Sequence, residues 1–261
     1  MATRTPRSAA AAAAAAAAFL LALAAAAAAP AQLPPELKTC KQTDPQYNEC
    51  LKNALQGALP SLSKGIRSLE AQPIDPLTIT SLSISEEKDK PVAINLDFSN
   101  FQITGISTAI IDSFEMTPGS YDMKIKAHTT GPLTLTGKYK IDGKVLVLPI
   151  QGEGDCKLVM DNIDALLDLK GAPLEKDGQT YADIKDFKFS FDTKKMTFDF
   201  NNLFNGDKAL GDNMNKFLNE NWEEILKELK PSIEEAFGLA FKDITNNVFH
   251  KVPYTDVFPP K

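Results

Sequence analysis

Apolar positions near the end of the chain repeat at intervals of three and four residues, the spacing of one face of an α-helix. The pattern begins at Leu218 and continues to Val248, so we predict a long amphipathic helix over this segment. Pro231 lies within the pattern, and we expect a kink near Leu229 or two helices in series. A helix of this length needs a large apolar surface to pack against.

A second helical pattern lies nearer the beginning of the chain. Leucine and isoleucine recur at helical spacing over residues 45–69. Pro60 interrupts the pattern, so we expect it to bend this helix or to divide it in two.

Between these helical segments, apolar and polar residues alternate with a period of two, which predicts a series of β-strands. The alternation shifts by one residue between Ile79 and Leu82, and again between Phe98 and Phe101. Such shifts are typical of β-bulges, which bend sheets. We therefore expect an α+β domain in which a highly curved antiparallel β-sheet wraps around the long helix.

Two strand pairs are predicted in more detail. Asp142-Gly143 lies between two apolar runs and predicts the tight turn of a β-hairpin. Later in the chain, two aromatic rows face each other across a turn at residues 192–195, so we expect one sheet face rich in phenylalanine. The first row is Phe187, Phe189 and Phe191, and the second is Met196, Phe198 and Phe200.

The first residues of the chain have the pattern of a secretory signal peptide. Arg4 and Arg7 precede an alanine-rich apolar stretch at residues 9–29, and Ala29-Pro30-Ala31 fits a cleavage site. A membrane anchor is the alternative, because the stretch is nearly long enough to span a bilayer, but alanine partitions poorly into lipid. We therefore predict a cleaved signal peptide at residues 1–31 and a secreted, extracellular protein.

Cleavage at this point leaves one domain at residues 32–261, since no linker rich in Gly, Ser or Pro divides the segment. The net charge of −6 becomes −8, because the signal segment contains two arginines and no acid. Nucleic acids and anionic membrane surfaces attract clustered Lys and Arg. We therefore expect neither a nucleic-acid partner nor stable membrane association.

The cysteines fit an exported protein. Cys40 and Cys50 lie close together with Asp44-Pro45 between them to turn the chain, and we predict a disulfide here rather than two free thiols. Cys156 remains. It alternates with apolar residues of a predicted strand, so we interpret it as a small buried side chain.

The sequence contains no recognisable catalytic or metal-binding motif. His128 and His250 are the two histidines, and neither has the spacing to acids or cysteines that a metal site requires. Asp161, Asp164 and Asp168 sit at helical spacing, which favours a solvated face over a pair of catalytic carboxylates. We predict no metal, no cofactor and no enzymatic activity.

Several segments together resemble one protein family. They are the close cysteine pair after the signal, Asn53-Ala54-Leu55 leading into Leu59-Pro60, Pro149-Ile150-Gln151-Gly152-Glu153-Gly154, Asn219-Glu220-Asn221-Trp222, Val252-Pro253-Tyr254 and Phe258-Pro259. In their order and spacing they resemble the takeout and juvenile hormone binding protein family of insects, over nearly all of the mature chain.

This resemblance implies a TULIP-like super-roll, in which the sheet and helix enclose an apolar tunnel for a small lipid. It also implies a protein of haemolymph or another extracellular fluid, with links to circadian and feeding physiology in the takeout branch. The hormone carriers of the family usually have a second disulfide, whereas Cys156 has no cysteine left to pair with. The chain therefore resembles the takeout branch more than the hormone carriers.

We expect the protein to carry a small hydrophobic ligand, namely juvenile hormone, a related terpenoid or a fatty-acid-like lipid. Aromatic and aliphatic side chains of the sheet and helix are the candidates for the tunnel lining, although each can equally be core filling. Tyrosines and a histidine are candidate polar anchors. The lining candidates are Phe187, Phe189, Phe191, Phe198, Trp222, Ile225, Phe237 and Phe241, and the anchors are Tyr121, Tyr139, Tyr181 and His128.

Two other functions are alternatives. A secreted defence protein that captures microbial lipids is the first, but lipid phosphates call for a basic surface and this chain is acidic. A lipid or ester hydrolase is the second, and it requires a nucleophile with histidine and acid partners. The residues identify no receptor or transfer partner.

Overall fold

A computed structural model describes residues 31–85 and 90–261. All but the last residue of the predicted signal peptide lies outside this part of the chain. In the described residues the helices are α1 (Tyr47–Leu62), α2 (Lys208–Glu220), α3 (Trp222–Phe249) and α4 (Tyr254–Val257). The strands are β1 (Leu77–Ser85), β2 (Val92–Thr104), β3 (Ala109–Glu115), β4 (Met123–Thr129), β5 (Leu133–Val145), β6 (Leu148–Asp161), β7 (Asp164–Lys176), β8 (Gln179–Asp192) and β9 (Lys195–Phe200).

The strands form two antiparallel sheets that continue into each other. The first sheet has the order β1-β2-β5-β6-β9, and the second has the order β3-β4-β7-β8. Only Asn162 and Ile163 separate β6 from β7, and only residues 193–194 separate β8 from β9. Register shifts occur where β2 pairs with β5, where β3 pairs with β4 and where β7 pairs with β8. The predicted curved antiparallel sheet is therefore confirmed, since such irregularities bend the sheets in which they occur.

The long helix α3 packs inside this curve, against β8 on one side and β1 on the other. Gly238 permits the close approach, because a Cβ at this position would lie 2.5 Å from the carbonyl oxygen of Phe187. The ring of Phe237 lies 6.5 Å from that of Phe101 on β2 and 6.2 Å from that of Phe189 on β8. The helix thereby separates two parts of the sheet and supplies apolar side chains to both.

Side-chain amides of the helices bind the edge strands of both sheets. Asn246 of α3 accepts a hydrogen bond from the backbone nitrogen of Ile184 at 2.8 Å and donates one to its carbonyl oxygen at 2.9 Å. Asn219 of α2 makes the same pair of bonds with Phe198 of β9. These bonds satisfy backbone groups that an edge strand otherwise leaves unpaired.

Helix α1 lies along β3, at the edge of the second sheet. The side chain of Gln56 donates to the carbonyl oxygen of Ala109 at 3.2 Å and accepts from the nitrogen of Ile111 at 2.7 Å. The predicted disulfide is present, with the Cα atoms of Cys40 and Cys50 5.9 Å apart. It joins the segment before α1 to the first turn of that helix.

The structure corrects the prediction for the β5–β6 hairpin. Val145 pairs with Leu148, so the turn falls at residues 146–147, and Asp142-Gly143 lies within β5. Gly143 has a φ of 147° and packs against the backbone of β2, where a Cβ would collide with the carbonyl of Ala93. A glycine is therefore needed here because the backbones of β5 and β2 approach closely, and not because the chain turns.

The two aromatic rows do not share a sheet face. Phe187, Phe189 and Phe191 lie on β8 in the second sheet, whereas Phe198 and Phe200 lie on β9 in the first. The prediction of one phenylalanine-rich face was wrong, because the chain crosses between sheets at residues 193–194 instead of folding back as a hairpin.

The predicted helix boundaries also change. Helix α1 ends at Leu62, two residues after Pro60, and a separate 3₁₀ turn occupies Arg67–Leu69. Helix α3 continues through Pro231, and the break between two helices in series falls at Asn221, whose side chain donates to the carbonyl oxygen of Phe217.

The two remaining expectations about strand residues have different outcomes. Asp161, Asp164 and Asp168 belong to β6 and β7, so their spacing does not reflect a helix. Cys156 is buried in β6, as predicted. Burial raises the pKa of its thiol to about 12, which keeps it neutral.

We expect the double variant Cys40→Ser/Cys50→Ser to lower the free energy of unfolding by roughly 2–3 kcal/mol, because the disulfide restricts the unfolded chain. Urea denaturation of the purified protein measures this change. The parent protein unfolded in the presence of a reductant serves as the control and should show the same loss. Equal stability of all three samples would mean that the bridge does not restrict the unfolded chain.

Neighbouring asparagines of α3 test the edge-strand bonds. Asn246→Ala should lower the free energy of unfolding by roughly 1–3 kcal/mol, because it removes both bonds to Ile184. The matched control is Asn247→Ala, since Asn247 is exposed on the same helix, and we expect a change within about 0.5 kcal/mol. Thermal or urea unfolding compares the two variants, and similar losses for both would contradict the proposed contribution of the bonds.

Candidate ligand-binding cavity

An apolar cavity of about 530 Å³ lies between α1, α3 and the inner faces of the two sheets. Its size is within the range of roughly 300–1,000 Å³ that is typical of small-molecule sites. The segment before α1, together with the end of α4 and the residue that follows it, completes the wall at one end. The side chains from these segments are Leu33 and Leu37 on the N-terminal side and Val257 and Phe258 on the C-terminal side.

Phenylalanines of β8 and α3 form one wall of the cavity. The residues Phe187, Phe189 and Phe191 point to the same face because they alternate along β8. Phe237 and Phe241 are four residues apart on α3 and therefore also share a face. The rings of Phe189 and Phe241 pack edge to face with centroids 5.2 Å apart, which holds the helix and the strand together.

Helix α1 forms the opposite wall. Its lining residues recur every three or four positions, so the apolar face of the helix is turned toward the cavity. The disulfide at Cys50 and the two bonds of Gln56 to β3 fix the orientation of this face. The lining residues from α1 are Leu51, Ala54, Leu55, Ala58, Leu59 and Leu62.

Alanines on neighbouring strands create space between the two walls. Ala127 of β4 and Ala165 of β7 are directly paired in the second sheet, and both line the cavity. Two small side chains at adjacent positions leave volume that larger residues would fill. The cavity therefore depends on residue size as well as on the curvature of the sheet.

Five of the eight predicted lining candidates contact the cavity, namely the phenylalanines of β8 and α3 described above. Phe198, Trp222 and Ile225 lie outside its lining. Phe198 belongs to β9 in the other sheet, and Ile225 is buried in the core with an exposed fraction of 2%. Trp222 is the first residue of α3, about three turns before Ile233, the first residue of that helix in the lining.

The three tyrosine candidates also lie outside the cavity lining. The hydroxyl of Tyr139 donates to the carbonyl oxygen of Asn201 at 2.7 Å, and burial raises the pKa of Tyr139 to about 12. The ring of Tyr121 packs against Tyr254 with centroids 4.5 Å apart. Tyr181 is buried in β8. In these positions, all three stabilise the fold.

His128 is the one predicted polar candidate that lines the cavity. Its Nδ1 lies 2.9 Å and 3.0 Å from the two carboxylate oxygens of Asp112, and 40% of its side chain is exposed. The histidine therefore lies at the rim of the cavity, where its Nδ1 is already hydrogen-bonded to the carboxylate of Asp112.

The sequence reasoning missed Thr129, the leucines of α1 and the chain ends as parts of the lining. Thr129 has a detectable signal, because it continues the inward-facing alternation of Met123, Ile125 and Ala127 along β4. The leucines of α1 also had helical spacing, but the sequence did not indicate which surface they cover.

Within residues 31–85 and 90–261, no group of three or more His, Cys, Asp or Glu side chains is placed to hold a metal ion. In the same residues, none of the helices is both long and apolar enough to cross a membrane.

Comparisons with known proteins agree with this architecture. The crystal structure of Takeout 1 from Epiphyas postvittana superimposes with a TM-score of 0.70 and 26% sequence identity, covering 85% of this chain and 99% of that one. The circadian clock-controlled protein daywake of Drosophila melanogaster is 27% identical over 241 residues, covering 86% of this chain and 88% of that protein. A putative beta-carotene-binding protein of Schistocerca gregaria is 24% identical over 224 residues, covering 85% of this chain and 88% of that protein.

A family model described as haemolymph juvenile hormone binding protein (JHBP) matches residues 18–259, which is most of the chain. The match includes both helical walls of the cavity and all nine strands described above. The chain belongs to the haemolymph juvenile hormone binding protein family.

Proposed function

We propose that this protein is a secreted carrier that holds one small hydrophobic ligand in the cavity between α1 and α3. The observation that carries the proposal is the apolar lining of a cavity of about 530 Å³. A cavity of this size is large for a packing defect, because protein interiors normally leave few voids larger than a water molecule. Family membership and the relative named as a putative beta-carotene-binding protein also support it.

Burial of apolar surface supplies the affinity of such a carrier. Each 100 Å² of ligand surface that leaves water contributes about 2.5 kcal/mol before the costs of association. The rigid strands and the bonds that anchor α1 reduce the cost of ordering the site. A ligand without charge can therefore bind well through shape and apolar contact.

The proposed ligands are juvenile hormone, a related terpenoid or a fatty-acid-like lipid. The buried Cys156 has no partner for the second disulfide that hormone carriers usually contain, which favours a ligand other than the hormone itself. The signal pattern and the family's description support secretion into haemolymph or another extracellular fluid. The relative named as circadian clock-controlled supports a link to daily rhythms.

The apolar lining also favours a binding protein over an enzyme. Among the residues that line the cavity, His128 is the one imidazole, and it lies at the rim beside Asp112. The defence-protein alternative would need a basic surface, whereas the net charge is −6. We therefore propose no reaction for this site.

We expect protein secreted from eukaryotic cells to retain a bound lipid, because transfer of an apolar ligand from such a cavity into water is unfavourable. Organic extraction followed by mass spectrometry should identify on the order of one ligand molecule per chain, as expected for a single cavity. A mock purification is the control for lipids from the medium. An empty protein that also fails to bind neutral fluorescent lipids would contradict the carrier function.

Filling the cavity should block binding. Ala165→Phe places a large ring beside Ala127, and we expect affinity for a neutral fluorescent lipid to fall roughly tenfold or more, because the ring takes ligand volume. Ala172→Phe is the matched control, since Ala172 lies on the same strand outside the lining. Fluorescence titration compares the folded variants, and equal affinities would place the ligand elsewhere.

A further inference from the structure

Apart from tyrosines and cysteines, Thr129 is the one buried residue with a polar side chain among the described residues, with an exposed fraction of 7%. It is the last residue of β4 and follows Met123, Ile125 and Ala127 on the strand face that is turned inward. All four residues line the cavity. A hydroxyl is therefore present in an otherwise apolar part of the wall.

The hydrogen bonds of Thr129 leave its proton unused. The backbone nitrogen of Thr129 donates to the carbonyl oxygen of Ile163 at 2.9 Å. In return, the backbone nitrogen of Ile163 donates to Oγ1 of Thr129 at 3.1 Å. Among the hydrogen bonds of residues 31–85 and 90–261, the Thr129 hydroxyl takes part as an acceptor and in none as the donor. The oxygen is thus held in place, while its proton has no acceptor among the described residues.

A threonine hydroxyl can donate one hydrogen bond and accept two. A buried donor without an acceptor is destabilising, and a ligand that supplies the acceptor removes this penalty. The bond from Ile163 also limits movement of the Thr129 side chain. These properties suit a group that fixes the position of a ligand.

The charges around the cavity indicate which acceptor fits. The cationic lining groups are Lys38 and, when protonated, His128. Lys38 is exposed on the segment before α1, and His128 is already paired with Asp112. A carboxylate at Thr129 would therefore be buried without a cation, which is strongly unfavourable.

We propose that the Thr129 hydroxyl donates a hydrogen bond to the bound ligand, and that this ligand is a neutral, elongated apolar molecule with an oxygen acceptor. Ketones, esters, quinones and ethers have such an oxygen. The inference rests on the proposed carrier function and narrows its ligand class. On this inference, the protein binds neutral lipids with an oxygen acceptor more tightly than it binds free fatty acids, which are anions. It also binds them more tightly than pure hydrocarbons.

A selectivity measurement separates this role from a purely structural one. The probes are 2-tridecanone and n-tridecane, which have equal chain length and differ in one carbonyl group, together with tridecanoate as the anion. Each displaces the neutral fluorophore N-phenyl-1-naphthylamine from the purified protein. The ratio of dissociation constants within one variant is the readout, because partial unfolding affects both probes equally.

The parent protein should bind the ketone about fivefold to tenfold more tightly than the alkane, the factor that one neutral hydrogen bond provides. Tridecanoate should bind more weakly than the ketone. Thr129→Val keeps the branched shape and removes the hydroxyl, so the ratio should fall close to one. Thr129→Ser retains the hydroxyl and should retain the preference.

Thr134→Val is the matched control, because Thr134 is half-buried on β5 and lies outside the cavity lining. We expect its ketone preference to equal that of the parent. A ratio near one in the parent would overturn the inference, as would an unchanged ratio in Thr129→Val or an equal loss of preference in Thr134→Val. Failure of every probe to displace the fluorophore, together with an empty extract, would overturn the carrier function and this inference together.

Infrared spectroscopy provides a test that does not need the valine variant to fold. The carbonyl stretch of ¹³C-labelled 2-tridecanone bound to the parent should lie at lower frequency than in hexane, because a hydrogen bond weakens the C=O bond. Thr129→Ser should preserve the shift. A frequency equal to that in hexane would show that the carbonyl has no donor and would overturn the inference.

Discussion

The open edges of the curved sheet are the constraint on which the rest of the structure depends. A sheet that curves without closing leaves backbone donors and acceptors along its edge strands, and these must find partners. Helices supply them here, through Gln56 on β3, Asn246 on β8 and Asn219 on β9. Each side-chain amide makes two hydrogen bonds to backbone groups of an edge strand. These bonds also fix the position of the helix that carries the amide. The helices are consequently held at a set distance from the sheet.

That fixed distance explains how an apolar cavity persists inside the domain. If α1 and α3 were held by apolar contacts alone, they would tend to move together and fill the space between them. The bonds to the strand edges and the disulfide at Cys50 oppose this movement. The paired residues Ala127 and Ala165 then leave volume where larger side chains would fill it. The apolar free volume and the position of Thr129 together define the kind of ligand that we propose.

Local sequence patterns predicted the site only in part. Phe237 and Phe241 were correctly placed on one helix face, and the β8 phenylalanines on one strand face, because each pattern depends only on residues within the same element. Phe198 was grouped with them because the sequence around residues 192–195 resembles a hairpin. The chain instead passes from one sheet to the other, which local spacing does not reveal. For the same reason Gly143 indicated a turn, although its role is to admit the backbone of β2.

The sequence by itself determined the α+β class, the bulge of β2 near Phe98, the long amphipathic helix and the disulfide between Cys40 and Cys50, because each follows from the period, phase or spacing of nearby residues. The second predicted bulge, between Ile79 and Leu82, is absent from the pairing of β1 with β2, which keeps one register there. The tertiary structure alone decided which sheet each strand joins, where the helices meet the edges and which apolar residues face a cavity instead of the packed core. These features depend on contacts between residues distant in sequence, such as Gln56 with Ile111 and Asn246 with Ile184. Hydrophobic periodicity records that a side chain is turned inward, but it does not record whether another side chain fills the space that it faces.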